Sequence, residues 1–407
     1  MKPFFNVTDL DTVFSYAKTF AQMGSERLPV LGAHGRILAE TVFACENLPD
    51  FIRSTMDGYA VQAASTFGAS EANPAYLTLS GSVVMGQRPE FNTRPGQAAR
   101  IWTGGALPPG TDSVVMIEQT EAVDETTIEV YKSVAPGQHV VQVGEDFKTD
   151  APLLTGGQVL RSQEIGLLAA FGHESVPVFQ KATVGIISTG DEVVPISETP
   201  QYGKIRDVNS YSLSAQVSAA GGRPVHYGIV PDDLSALSDV CRKAHEQCDM
   251  LLISGGSSVG ARDYTIEALS GLAQSQILVH GIPISPGKPA ILAKAQGKPI
   301  WGLPGHVTSA MVVFDAVVRT FLDRLNGLTQ KRTWSIPARM TRNVPSAQGR
   351  IDFIRVQLVE KEGEYWAEPI LGKSGLLHTM VQADGLVACD MNTEGFDQAE
   401  RVMVRLL

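Results

Sequence analysis

The sequence predicts a multidomain protein of α/β and β architecture, built around a central three-layer α/β/α domain with a parallel-rich sheet. Strand and helix patterns alternate over residues 182–327, which is typical of a parallel sheet covered by helices on both faces. Short β-type segments separated by turns fill residues 48–144, and similar segments return after Thr333. A chain of 407 residues also exceeds the length of a typical single domain.

The alternation of helical and β-type patterns predicts four domains. Helical patterns lie on both sides of the β-rich stretch, at residues 8–23, with Thr8 as N-cap, and at residues 162–171. We interpret the stretch between them as an insertion; alternatively, the two helical pieces are separate linkers. The predicted domains are a discontinuous N-terminal helical and linker domain (1–47 and 145–178), an inserted small β-rich domain (48–144), an α/β domain (179–328) and a C-terminal β-barrel (329–407).

Composition argues against several classes of protein. A formal net charge of −10 is unlike a nucleic-acid-binding protein, which needs a basic surface. No run reaches the roughly 18 apolar residues that span a membrane, and the first residues lack the apolar core of a signal peptide. The four cysteines include no C-x-x-C pair, so neither a zinc site nor a disulfide framework is indicated. We therefore expect a cytoplasmic protein with reduced thiols, no nucleic-acid partner and no membrane association.

The chain's main feature is an apolar run that ends in a glycine-rich turn. Residues 250–254 read Met-Leu-Leu-Ile-Ser, as expected of a buried parallel strand, and Gly-Gly-Ser-Ser-Val-Gly follows at 255–260. Glycines after a strand allow backbone N–H groups to approach an anion, and a helix that begins nearby adds its positive dipole end. Asp263 stands at the N-cap position of that helix. The alternative is a tight turn with a capping aspartate.

Glycines and carboxylates also follow the neighbouring apolar runs. Residues 188–192 read Ser-Thr-Gly-Asp-Glu, Asp232 follows a second run, and Pro-Gly follows a third at 304–305. Ligands of open α/β sheets bind at the carboxyl ends of the strands, so one rim would carry Glu192, Asp232 and Asp263. Carboxylates without cysteine or clustered histidine favour a hard cation such as Mg²⁺, which bridges them to phosphate oxygens. The pattern predicts a metal and phosphate site.

Two positive side chains near glycines suit an oxyanion. Lys288 is held between prolines in Ser-Pro-Gly-Lys-Pro at 285–289, and the glycine spacing excludes a Walker loop. Arg350 follows Gly349 in the C-terminal region, and an arginine side chain can fork onto a tetrahedral oxyanion. Taken alone, either residue could be an ordinary solvated surface charge.

Together, these motifs resemble the MoeA family, the molybdopterin molybdenumtransferases, whose fold also occurs as the E domain of gephyrin. The resemblance covers essentially the whole chain. The segments that carry it are 54–60, 103–115, 144–146, 188–192, 207–209, 228–233, 254–265, 286–289, 302–305 and 349–353. Each motif alone is compatible with a structural turn, but so many in one order are specific.

The resemblance implies an elongated homodimer in which the inserted β domain faces the partner subunit's α/β domain. It implies that molybdopterin-AMP and molybdate give the molybdenum cofactor and AMP, with Mg²⁺. Molybdopterin adenylyltransferase and molybdoenzyme-maturation proteins are the partners it suggests.

The resemblance also assigns functional positions. Catalytic positions fall on Asp57, Thr103, Asp146, Glu192, Asp232 and Asp263, and the last three would hold the metal. Substrate and phosphate positions fall on Ser188, Thr189, Gly190, Ser254, Gly255, Gly256, Ser257, Gly260, Pro304 and Gly305. Molybdate would be held by Lys288, Pro289 (backbone), Ser309, Arg350 and Ser374.

The chain departs from the family pattern around the predicted oxyanion site. The family often has lysines at the positions of Gly281 and Ser285, and asparagine at that of His306. Fewer fixed positive charges could mean weaker oxyanion binding, a tungstate-preferring paralogue, or a compensating role for His306. Two other readings stay open. One is a non-catalytic molybdopterin carrier or scaffold, and the other is an adenylyltransferase of the neighbouring step.

Overall fold

The computed structural model describes residues 7–255, 264–330 and 333–407. The chain divides into two compact units. The first consists of Met1–Glu40, Gly156–Gly166 and Glu174–Leu407, and the second of Thr41–Thr155 and Leu167–His173. The predicted fold class is confirmed. The predicted bounds of the four domains stay a prediction.

A six-stranded sheet is the centre of the first unit. Its strands in spatial order are Arg223–Val230, Thr183–Thr189, Met250–Ser254, Lys298–Leu303, Ile291–Ala295 and Gln276–His280. The first four are mutually parallel, whereas the last two are antiparallel to their neighbours. The antiparallel edge arises because Gln296 and Gly297, with φ of 46° and 81°, form a two-residue hairpin turn. The alternation of strands and helices did not reveal this hairpin.

Helices cover both faces of this sheet. They are Leu10–Ala17, Asn209–Ala219, Leu234–Gln247, Tyr264–Ser270, Val307–Val313 and Arg319–Leu325, the last two joined by the π-helical turn Phe314–Val318. Leu252 and Trp301 belong to one core, and their neighbours Ile253 and Ile300 belong to the other. All four side chains are fully buried, each stabilising the fold by roughly 1.5–3 kcal/mol. The alternation of side chains between two cores confirms the three-layer arrangement.

The N-terminal helix is shorter than predicted. It spans Leu10–Ala17 rather than residues 8–23, and its N-cap is Asp9, whose carboxylate accepts from the Thr12 N–H at 2.8 Å. Thr8 is not the cap, because the helix begins at Leu10 and Asp9, the residue directly before it, supplies the capping acceptor. The following strand, Ser25–Pro29, pairs antiparallel with Ser175–Phe179. This ladder joins the two halves of the predicted discontinuous domain.

The second unit contains a six-stranded, mostly antiparallel sheet. Its strands in spatial order are Ser113–Met116, Gly58–Val61, Gln97–Ile101, Ala75–Ser82, Thr127–Val130 and Thr120–Ala122. Two short ladders flank it, Arg53–Ser54 with Val140–Val141 and Val42–Phe43 with Pro152–Leu154. Tyr59, Leu77 and Ile128 are part of its own hydrophobic core. The β-rich stretch therefore folds around a core of its own, as its sequence predicts. The helix Ser162–Ala170 follows along the chain.

The C-terminal region of the first unit is a closed barrel. Its strands in order around the barrel are Ile351–Lys361, Glu364–Pro369, Ser335–Met340, Arg401–Leu406 and Gly385–Cys389. The last strand pairs with the first, which closes the sheet and removes its free edges. The short strand Ile284–Ser285 pairs with the barrel at Ile351 and Asp352. Smaller elements are Val193–Val194 with Ile205–Arg206, Val344–Pro345 with Gly395–Phe396, and the helix His378–Val381.

Candidate functional site

Polar side chains join the strand ends at one rim of the central sheet. The Ser188 hydroxyl donates to Oδ1 of the buried Asp207 at 2.8 Å, and the Ser210 N–H donates to the same oxygen at 3.0 Å. Asn209 Nδ2 donates to Ser254 Oγ at 2.6 Å and to the Gly305 carbonyl at 2.8 Å. These bonds bring together Ser188, Ser254 and Gly305, which were predicted as substrate positions. Asp207 and Asn209, the residues that connect them, were not predicted as site residues.

Two strand ends approach each other closely at Gly255. Its φ is +111°, and a Cβ there would lie 2.3 Å from the carbonyl oxygen of Thr189. Only glycine fits this backbone geometry. Nearby, Thr189 Oγ1 and Asn209 Oδ1 are buried without a hydrogen-bond partner among the described residues. Buried polar atoms normally have partners, so these two are candidates for contact with a ligand. The predicted positions Gly190 and Pro304 adjoin the same strand ends.

Four predicted residues of the glycine-rich turn lie outside the described residues. They are Gly256, Ser257, Gly260 and Asp263. Their predicted contact with phosphate, and the metal role of Asp263, stay predictions.

Three carboxylates, Asp191, Glu192 and Asp232, follow the ends of the neighbouring strands Thr183–Thr189 and Arg223–Val230. The Asp232 N–H donates to Asp191 Oδ1 at 3.1 Å. Burial, and then the charges of Asp191 and Glu192, raise the pKa of Asp232 above its usual value. A divalent cation would relieve this repulsion, and oxygen donors fit Mg²⁺. Over residues 7–255, 264–330 and 333–407, no three metal-ligating side chains already stand in position to hold an ion.

The predicted catalytic residues Asp57, Thr103 and Asp146 belong to the second unit. Oδ1 of Asp57 accepts from the Thr103 N–H at 2.7 Å and from its hydroxyl at 2.8 Å. These bonds, with a smaller contribution from the charge of Arg100, lower the pKa of Asp57. Asp146 is exposed in a turn, where its N–H donates to the Leu48 carbonyl at 3.1 Å. Asp57 is thus an oriented, exposed carboxylate.

A cavity of about 890 Å³ in the first unit lies between the loop around Lys288, the start of helix Val307–Val313 and the barrel. All five residues predicted to hold molybdate line it, namely Lys288, Pro289, Ser309, Arg350 and Ser374. Its other charged or titratable lining residues are Arg355, Asp352 and His306. The cavity therefore combines several positive side chains with hydroxyl donors, which suits a tetrahedral oxyanion.

The two arginines of this cavity differ in their surroundings. Arg350 Nε lies 3.0 Å from Asp352 Oδ1, and its side chain is 46% exposed. Burial opposes ionisation of Asp352, but hydrogen bonds from Ser346 and Ser285 and the Arg350 charge lower its pKa overall. The charge of Arg350 is therefore partly neutralised by a neighbouring carboxylate.

Arg355 is the positive residue that the sequence analysis missed. Its guanidinium donates to Thr379 Oγ1 at 2.8 Å and to the Gly372 carbonyl at 3.0 Å. Its Nε is buried without a hydrogen-bond partner among the described residues, and burial lowers its pKa. An arginine in strand Ile351–Lys361 resembles any solvent-facing strand residue. Its position between the hydrophobic Ile354 and Val356 fits the same alternation, so the sequence offered no signal that Arg355 lines a site.

The loop that carries Lys288 is held by packing at Gly287. This glycine has φ of +125°, and a Cβ would lie 2.3 Å from Val313 Cγ2. The Lys288 carbonyl also accepts from the Ile282 N–H at 2.9 Å. The loop is therefore seated directly on helix Val307–Val313, which fixes the backbone around the lysine.

Matches with known proteins cover nearly the whole chain. Residues 9–172 match the MoeA N-terminal region (domain I and II), residues 185–324 a probable molybdopterin binding domain, and residues 337–407 the MoeA C-terminal region (domain IV). The molybdopterin molybdenumtransferase of Bacillus subtilis is 32% identical over 91% of this chain and 87% of its own length. That of Haemophilus influenzae is 30% identical over 93% of both chains.

A crystal structure of a molybdopterin biosynthesis MoeA protein from Pyrococcus horikoshii has the same fold. It covers 98% of both chains with a TM-score of 0.83 and 30% identity.

Proposed function

Since the chain belongs to the MoeA family of molybdopterin molybdenumtransferases, we propose that it converts molybdopterin-AMP and molybdate into the molybdenum cofactor and AMP in the presence of Mg²⁺. Its role in molybdenum cofactor biosynthesis follows from the named relatives. The identity of the adenylylated substrate and the metal requirement are the proposed parts.

One observation carries the proposal: the five residues predicted to hold molybdate, from four separate parts of the chain, line one cavity together with Arg355. Lys288 and Arg355 would supply positive charge to the oxyanion, and the hydroxyls of Ser309 and Ser374 would donate hydrogen bonds to its oxygens. We assign Arg355, rather than Arg350, as the principal arginine, because Arg350 pairs with Asp352.

The rim of the central sheet would bind the phosphates of the substrate. Thr189 and Asn209 have buried oxygen atoms there that lack a hydrogen-bond partner among the described residues, and the backbone at Gly255 is shaped for close approach. Glu192 and Asp232, with Asp263, would hold Mg²⁺. The ion would neutralise charge that develops on the phosphate oxygens. In the second unit, Asp57, oriented by Thr103, and Asp146 are the remaining residues that we propose as catalytic.

We further propose a cytoplasmic homodimer. Its thiols support a reducing compartment, because all four cysteines are free. No helix in the described parts of the chain has the length and apolar character needed to cross a bilayer. The molybdopterin adenylyltransferase that makes the substrate, and maturation proteins that accept the product, are the proposed partners.

The decisive experiment measures AMP release from purified molybdopterin-AMP with Mg²⁺, while molybdate and tungstate are titrated separately. Release triggered by micromolar molybdate supports the proposal. A lower half-saturating concentration for tungstate would instead identify a tungstate-preferring paralogue. Binding of molybdopterin-AMP without release under any oxyanion would favour a carrier. Formation of molybdopterin-AMP from ATP and molybdopterin would identify an adenylyltransferase.

A further inference from the structure

The cavity of about 890 Å³ described above is called the oxyanion cavity from here on. Its wall at His306 and Ser374 differs from the remainder of its lining in how the charge of the side chains responds to pH. The other charged lining residues are Lys288, Arg350 and Arg355, together with the carboxylate Asp352. Lysine, arginine and a carboxylate keep their charges through the neutral range. Imidazole is the side chain that normally changes charge between about pH 5 and 8. Among the described lining residues, only His306 is of that type.

Two hydrogen bonds define the position of this wall. His306 Nδ1 lies 3.1 Å from Ser374 Oγ, and the Ser374 carbonyl accepts from the Thr308 N–H at 3.2 Å. His306 precedes helix Val307–Val313 without capping it through its side chain, and its ring is exposed. The imidazole therefore contributes neither to the core nor to a helix cap. Within the described parts of the chain, the hydrogen bond of its ring is to a hydroxyl that lines the same cavity.

We propose that His306 and Ser374 form a coupled donor pair that sets how strongly the cavity holds a tetrahedral dianion, with His306 as its positioning residue. This inference rests on the proposed function of the cavity. With a neutral ring protonated on Nε2, the Ser374 hydroxyl donates to Nδ1 and is not available to the anion. With a protonated ring, Nδ1–H donates to Ser374 Oγ, so the hydroxyl proton turns to the anion and the ring adds a positive charge.

The pair therefore makes oxyanion affinity depend on pH. Molybdate, tungstate and sulfate all stay dianionic from pH 6 to pH 8, so a change in affinity over that range reports on the protein. We expect the dissociation constant to rise about tenfold from pH 6 to pH 8, because one charge-assisted donor and one positive charge are lost.

The test is isothermal titration calorimetry of tungstate, with sulfate as a second probe, on the full-length protein at pH 6, 7 and 8. His306→Asn should flatten the pH dependence to within about twofold, and Ser374→Ala should do the same. The two substitutions together should cost less affinity than the sum of their separate effects, because they break one coupled unit. The exposed His378 lies outside the cavity lining, so His378→Asn is a matched control that should keep the full pH dependence.

Two results separate this inference from the proposed function. If His306→Asn binds tungstate with the wild-type pH profile, or if the two substitutions act additively, the coupled pair is refuted while the oxyanion cavity stands. If the wild-type protein, shown to be folded by its thermal transition, binds no dianion at any pH, the proposed function of the cavity fails as well.

Discussion

Oδ1 of Asp57 accepts two hydrogen bonds from Thr103, one from its backbone N–H and one from its hydroxyl. The residues are 46 positions apart, and the ladder of Gly58–Val61 with Gln97–Ile101 brings them together. The bonds hold an exposed carboxylate ionised and in one orientation. Exposed groups gain little stability from such fixation, so unfolding would not explain a large loss of activity when this pair is broken.

We expect Thr103→Val to raise the pKa of Asp57 and to slow AMP release about tenfold, since it removes the hydroxyl donor but keeps the N–H. Carbon-13 NMR titration of the carboxyl groups and the AMP assay measure the two effects. The hydroxyl bond lowers the folded-state pKa of Asp57, so the stability it adds is present at neutral pH and disappears as pH falls through that pKa.

Asp124 and Thr126 provide a matched control for this prediction. Oδ1 of Asp124 accepts from the N–H and the hydroxyl of Thr126 at 2.7 and 2.8 Å, the same geometry. Thr126→Val should raise the pKa of Asp124 and leave AMP release unchanged. Equal slowing by both variants would mean that Thr103 acts only through stability.

The two arginines of the oxyanion cavity should not contribute equally. Arg355→Ala is expected to weaken tungstate binding roughly 10- to 100-fold, because it removes a partly buried guanidinium and its charge-assisted bonds to the anion. The buried Nε of this guanidinium has no hydrogen-bond partner among the described residues. Arg350→Ala should weaken it less than about fivefold, because Asp352 already neutralises part of its charge. Calorimetry at pH 7 compares the two variants, and the reverse ranking would restore Arg350 as the principal ligand.

Much of the fold could be predicted because it follows from local patterns. The apolar runs that become Thr183–Thr189 and Met250–Ser254 are hydrophobic at nearly every position, as strands covered on both faces must be. The hairpin at Gln296 and Gly297 was missed because alternation of elements does not determine strand direction. Thr8 was chosen as a cap on residue type alone, whereas Asp9, one position later, is the residue whose carboxylate accepts from the Thr12 N–H.

The site was only partly accessible from sequence because much of it depends on closure of the barrel. The pairing of Ile351–Lys361 with Gly385–Cys389 is long-range, and it positions Arg355 near Thr379. Asp207 and Asn209 act by bridging strand ends, which spacing along the chain does not reveal. Residues on short, glycine-bounded motifs, such as Lys288, could be proposed from sequence because the motif itself constrains the backbone.

Packing beneath the lysine loop should be sensitive to a single methyl group. Gly287→Ala would place Cβ against Val313 at a backbone conformation that favours glycine, so we expect a loss of roughly 1–3 kcal/mol in unfolding free energy and weaker tungstate binding. Gly297→Ala is the control, since it also has a positive φ, of +81°, but nothing lies within 4 Å of its Cβ position. Urea unfolding measures the stability of the two variants, and calorimetry measures their affinity for tungstate. Equal tungstate affinity in Gly287→Ala and Gly297→Ala would contradict the role of the packing between Gly287 and Val313.

The carboxylate cluster should couple metal binding to stability through Asp232. The pKa of Asp232 is raised by burial and by the charges of Asp191 and Glu192, so ionisation of this carboxyl group destabilises the fold. The destabilisation is absent below the ordinary pKa of aspartate, and it grows as the pH rises through the raised pKa of the folded state. In EDTA at pH 7, Asp232→Asn should therefore raise the melting temperature by roughly 1–3 °C. Millimolar Mg²⁺ should stabilise the wild type, because it offsets the repulsion, but not the variant.

Differential scanning fluorimetry with and without Mg²⁺ measures both effects. Asp239→Asn is a suitable control, because Asp239 is exposed and pairs with Arg242 on the helix Leu234–Gln247. That variant should keep the wild-type response to Mg²⁺. If Asp232→Asn responds to Mg²⁺ as strongly as the wild type does, the ion binds elsewhere and Asp232 is not a metal ligand. The absence of any response in the wild type would mean that Mg²⁺ enters only together with the substrate phosphates, in which case the same comparison repeated with AMP decides the assignment of Asp232.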